Sequence, residues 1–149
     1  MQARNTIKQF LLAVMTCTAV LTFGANAGGS TNDSLTGLPL YPGVTGSNPL
    51  PKATVCKSQM QGDFYMVGEN KVDTVTDWYA KHLNGFKRYH AMPGSRSQDT
   101  FFNSDGTQEV TVTGTPDSTD VYSVSYGRFQ PGLSASQMAT FNTGKQVCK

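Results

Sequence analysis

The sequence predicts an α+β domain of two layers. An antiparallel sheet of four to five strands carries one main helix on one face, and a short helix closes the C-terminus. Three observations predict it. Val72, Val75, Tyr79 and Leu83 recur at helical spacing. Val110 and Val112 alternate with Glu109, Thr111 and Thr113, and Tyr122, Val124 and Tyr126 alternate with Ser123 and Ser125. Clusters of Asn, Asp, Ser and Gly then punctuate the second half of the chain, as a meander of strands requires.

The first element is a leader. Arg4 and Lys8 lie in a short basic start, an apolar run follows from Phe10 to Phe23, and Ala25-Asn26-Ala27 closes it. A basic start, a short apolar middle and small residues at the cut are the parts of a secretory signal peptide, with cleavage expected after Ala27. A spanning helix needs about 20 apolar residues, and Thr16, Cys17, Thr18 and Thr22 dilute this run. A lipoprotein site at Cys17 is disfavoured because Val14-Met15-Thr16 precedes it. Export to the periplasm is expected, with secretion as the alternative.

Removing 27 of the 149 residues leaves 122, enough for one domain with a modest core. Ten of the 12 basic residues then face 10 acidic ones. A net charge near zero gives no general attraction for nucleic acid. No later apolar run is long enough to span a membrane.

The remaining cysteines, Cys56 and Cys148, are expected to pair, because an even count in an exported domain reads as a disulfide. Closing so long a loop is worth about 4–5 kcal/mol on the chain-entropy model. A redox pair would call for C-x-x-C spacing, which is absent.

Residues 28–54 are expected to be a tether and an extended surface segment ahead of a domain over 55–149. Gly28 to Thr36 is rich in small polar residues, and Leu38 to Val44 is apolar, with prolines that forbid a helix and a turn at Pro42-Gly43. Cys56 to Val67 is expected to hold a strand. The main helix is expected from about Lys71 to Leu83, capped by Asn70, with an Asp77–Lys81 pair on its outer face and a stop at Asn84-Gly85. Strands are expected at Phe86 to Met92, Asp99 to Asn103, Glu109 to Thr113 and Val121 to Tyr126, with a hairpin turn at Asn103-Ser104-Asp105-Gly106. The alternation implies one buried and one wetter sheet face. Ser134 and Gln137 form a capping box for a helix from about Ala135 to Asn142, with Leu133 and Met138 at staple spacing.

Tyr41-Pro42-Gly43 followed by Val75-x-x-Trp78-Tyr79-x-x-x-Leu83 and Phe86 resembles the core of small exported bacterial α+β proteins of unassigned function. The resemblance covers about residues 39–126. It implies a fold and a compartment, and it carries no catalytic residue across.

Motifs for chemistry fail in turn. H-E-x-x-H, S-x-x-K, the P-loop and the dinucleotide fingerprint are absent, and Gly132-Leu133-Ser134-Ala135-Ser136 lacks the second Gly of a nucleophile elbow. No catalytic residue, metal ligand or cofactor is therefore assigned. His82 and His90 are the two imidazoles. With Asp99 or Asp63 either would make an acid–base or metal group, although their spacing does not require one. Lys81, His82, Lys87, Arg88, His90 and Arg96 cluster in sequence. They read either as a solvated edge or as a patch for an acidic partner.

The reading that follows is a non-catalytic exported binding protein with a protein partner in the cell envelope: an inhibitor, immunity or accessory factor. Its expected contact surface is Lys81, His82, Lys87, Arg88 and His90, with Arg88 and His90 sharing one strand face. A small envelope enzyme built on His82 or His90 with a carboxylate is the first alternative. A carrier of a small apolar ligand is the second.

Overall fold

The computed structural model describes residues 31–68, 71–114, 121–145 and 148. The leader with its Ala27 site, and the cap residue Asn70, lie outside the described residues.

Among the described residues, seven strands and two short helices follow one another. They are β1 (Val44–Pro49), β2 (Ala53–Val55), β3 (Ser58–Val67), α1 (Val72–His82), β4 (Lys87–Ala91), β5 (Gln98–Phe102), β6 (Gln108–Gly114), β7 (Val121–Gln130) and α2 (Ala135–Thr140). The strands form one open sheet in the order β1-β3-β7-β6-β5-β4, with β2 also paired to β3. Every pairing is antiparallel. The chain leaves β3, crosses one face as α1, enters the far edge at β4, and meanders back until β7 docks beside β3.

The α+β class stands, but seven strands replace the four to five expected. The extra strands come from residues 44–55, all but Val55 of which the sequence placed in the surface segment. Their side chains are mostly exposed, so they carry little apolar periodicity. They are strands because β3 is long enough to pair with both. The hairpin between β2 and β3 turns on Cys56 and Lys57, with φ of 50° and 78°. Positive φ at both central residues is the pattern of a type I′ turn. Cys56 is bonded to Cys148, 92 positions on, with Cα atoms 4.8 Å apart.

The helices differ from expectation in weight. α1 has eleven residues and α2 six, so the sheet and not a main helix dominates. At the α1 N-cap, Lys71 supplies no side-chain capping hydrogen bond, and Asp77 and Lys81 make no ion pair among the described residues. Its stability comes from packing: Val72, Val75, Tyr79 and Leu83 are all buried. The α2 capping box is present, with the Ser134 side chain accepting from Gln137 and the Gln137 side chain accepting from the Ser134 backbone.

Both faces of the sheet are covered. On one, α1 and residues 38–44 pack against Tyr65, Val67, Phe101, Val110, Val112, Val124 and Tyr126. On the other, Leu133, Met138 and Phe141 pack against Phe102 and Phe129. The expectation of a wetter face is therefore corrected: Thr111 and Thr113 are buried, and so is Glu109.

The stretch read as a flexible tether also holds fixed structure from Thr31 onward. Asp33 is 1% exposed. Its carboxylate accepts from the Thr36 backbone and hydroxyl at 2.7 and 2.6 Å, and from the Tyr65 phenol at 2.8 Å. That last bond helps push the Tyr65 phenol up to about 12, after burial.

Candidate partner-binding site

β4 is an edge strand in unbroken register with β5, from Lys87↔Phe102 to Ala91↔Gln98. Its side chains alternate across the sheet. Arg88 and His90 share the α1 face, as expected, while Lys87 and Tyr89 point to the α2 face. The Lys87 ammonium sits 5.2 Å from the centre of the Tyr89 ring. The five candidate residues therefore do not make one flat patch.

His90 lies directly opposite Asp99. Asp99 is 2% exposed. One of its carboxylate oxygens accepts from Arg88 Nε at 2.9 Å and sits 3.0 Å from His90 Nδ1. Both partners reach to solvent from this buried anion. Asp99 balances the Arg88 charge, so Lys87 is the unbalanced cation of the strand. The pairing also orients the imidazole, with Nε2 turned away from the carboxylate. Among the described residues no hydroxyl or thiol hydrogen-bonds His90.

His82 is held differently. It ends α1 stacked on Trp78, with ring centres 3.9 Å apart, and its Nδ1 lies 2.7 Å from the Trp78 carbonyl. Lys81 is exposed on the same turn. No bond joins His82 to β4 among the described residues. Asp63 does not serve either histidine. It lies on β3, and β7, β6 and β5 separate β3 from β4. Burial, and then the nearby Asp33, raises its carboxyl. Among the described residues no group of three His, Cys, Asp or Glu side chains is placed to hold a metal.

Two polar features escape a reading by sequence. Glu109 is buried against the α2 cluster, and its Oε2 accepts from the Thr111 hydroxyl at 2.6 Å. Burial pushes this carboxyl up to about 8 despite that hydrogen bond. Gly127 makes the room: a Cβ there would stand 2.7 Å from Glu109 Oε1. Asn142 closes the neighbouring pair, donating to Thr100 at 2.6 Å, while Thr100 and Thr111 share a 2.9 Å bond. The second feature is Arg128 with its surrounding glutamines. Gln59, Gln61, Arg128 and Gln130 line one cleft, and Thr107, Gln108, Arg128, Phe129 and Gln130 line another.

No protein-family model, curated protein or solved structure matches this chain. Most residues of the Tyr41-Pro42-Gly43 and Val75-x-x-Trp78-Tyr79-x-x-x-Leu83 pattern are packing residues, while Pro42 and Gly43 are exposed. Tyr41, Val75, Tyr79 and Leu83 belong to the α1-side core, and Trp78 packs against it.

Proposed function

We propose that this chain is an exported binding protein whose partner, an acidic protein segment, pairs along β4. The carrying observation is the contrast between the two sheet edges. β1 is interrupted by a register shift between Thr45 and Ser47 and ends in Pro49, features that discourage pairing. β4 keeps a regular ladder and presents Lys87 on one face and Arg88 with His90 on the other. An added strand with acidic side chains would meet Lys87 on one face while pairing a backbone edge that no other strand takes up among the described residues. The Cys56–Cys148 bond supports the export reading, since disulfides persist in oxidising compartments. No helix among the described residues is long and apolar enough to cross a membrane.

The test uses a labelled peptide of alternating Glu and Val and follows its anisotropy on titration with the mature protein. Removing Arg88 would strip Asp99 of a partner and endanger the fold. Lys87→Glu is the better variant, because among the described residues Lys87 pairs with no buried charge and lies over the Tyr89 ring. Binding that weakens with Lys87→Glu and with added salt supports the reading. Binding unchanged by both overturns it.

One observation favours a second reading. His90 Nδ1 against Asp99 is the arrangement that prepares an imidazole for general-base work on a bound water. A small envelope hydrolase would then lose activity in His90→Gln. A panel of chromogenic esters and glycosides tests it, and no turnover by the wild-type protein would reject it.

A further inference from the structure

We infer that a second binding site lies on the β3, β7 and β6 strands around Arg128, and that it takes an acidic saccharide. It is separate from β4, with β5 lying between β6 and β4.

The register builds the site. Arg128 stands opposite Gln61 on one side and Gln108 on the other, and Gln59 stands opposite Gln130. Cross-strand partners share a face, so five long polar side chains gather on one patch of sheet. Two clefts open there, of about 140 and about 270 Å³, and both are lined by Arg128 and Gln130. Arg128 is exposed, and among the described residues nothing hydrogen-bonds or ion-pairs with its guanidinium. The nearest acid along that face of β3 is Asp63, which pairs with Tyr126 in register and not with Arg128.

The amides around this cation are partly fixed. Gln108 Nε2 donates to the Thr36 carbonyl at 2.7 Å, which leaves its Oε1 as an acceptor. Gln59 Nε2 donates to the Thr54 hydroxyl at 3.1 Å and leaves its Oε1 in the same role. Among the described residues nothing hydrogen-bonds the side-chain amides of Gln61 and Gln130. The site therefore offers one planar cationic fork beside several neutral acceptors and donors. A carboxylate satisfies the fork. The acceptors call for hydroxyl donors on the same ligand. An inorganic anion would leave them unused, and an apolar peptide would find few apolar walls. A sugar ring bearing a carboxylate meets both demands.

Calorimetric titration of the mature, disulfide-bonded protein tests this with three probes: an oligogalacturonate, a neutral malto-oligosaccharide and citrate. The oligogalacturonate should bind, and both other probes should bind at least about tenfold more weakly. Arg128→Gln should reduce oligogalacturonate affinity by about tenfold or more at an unchanged melting temperature. Gln61→Leu, which removes an amide and leaves the charge, should also weaken it. No oligogalacturonate binding, or equal binding by Arg128→Gln, overturns the site. Equal affinity for the neutral oligosaccharide overturns the role of the carboxylate, and equal affinity for citrate overturns the saccharide assignment.

Discussion

The Tyr126 phenol donates to the Pro39 carbonyl at 2.9 Å, across 87 residues of sequence. It also meets the Tyr79 hydroxyl, which in turn accepts from the Tyr41 backbone at 3.2 Å. One strand, one helix and the N-terminal segment are thus joined at a single buried cluster of phenols. Burial, reinforced by the neighbouring Tyr79 phenol, raises the Tyr126 pKa far above the usual tyrosine range, so the cluster stays neutral throughout ordinary conditions.

Tyr126→Phe keeps the ring and removes that junction. It should destabilise the protein by about 1–3 kcal/mol, the cost of leaving buried partners unmatched. Urea denaturation measures it. An unchanged midpoint would mean that the segment over 31–41 does not depend on this bond.

Glu109 gives a prediction in pH. Burial lifts its folded pKa to about 8, above the ordinary carboxyl value of 4.5. The folded state therefore holds a proton that the unfolded chain releases, and stability is greatest below the unfolded pKa. It falls as pH rises through that window and levels off above the folded pKa. Glu109→Gln keeps an acceptor for Thr111 and removes the titration. Its melting temperature should match the wild type near about pH 4 and exceed it by a growing margin towards about pH 9. A constant difference across that range would show that Glu109 is not the group responsible.

The Cys56–Cys148 bond ties the β2–β3 turn to the chain beyond α2. Replacing both cysteines by Ser should lower stability by about 2–5 kcal/mol, through the freedom gained by the unfolded chain. Denaturation of the double variant beside the oxidised wild type measures this. Equal midpoints would contradict it.

Elements whose signal is local were legible in the sequence. The α1 stripe of Val72, Val75, Tyr79 and Leu83, the hairpin turn ending at Gly106, and the Ser134–Gln137 box all depend on neighbours a few residues away. What escaped depends on distant partners. Asp33 looks like a linker residue until Tyr65, 32 positions on, claims its carboxylate. Glu109 and Thr111 read as a wet face because V-T-V-T alternation says nothing about what covers the polar side. That cover is α2 with its flanking residues and Asn142, and the apolar pair Leu133, just ahead of α2, and Met138, within it, was the available clue. The candidate site divides in the same way. Period-2 spacing put Arg88 and His90 on one face, while Asp99 beneath them and Lys87 behind them follow from pairing with β5. Arg128 gave no signal, because its glutamine neighbours come from three separate strands.

We propose β4 as the edge that receives a partner strand. Amide hydrogen exchange of the chain over residues 28–149, with and without the Glu–Val peptide, reads this pairing strand by strand. Slowed exchange across Lys87–Ala91, with β1 unchanged, is the predicted result. Protection of β1 or of the Arg128 face, with β4 exchanging as in the free protein, would contradict it.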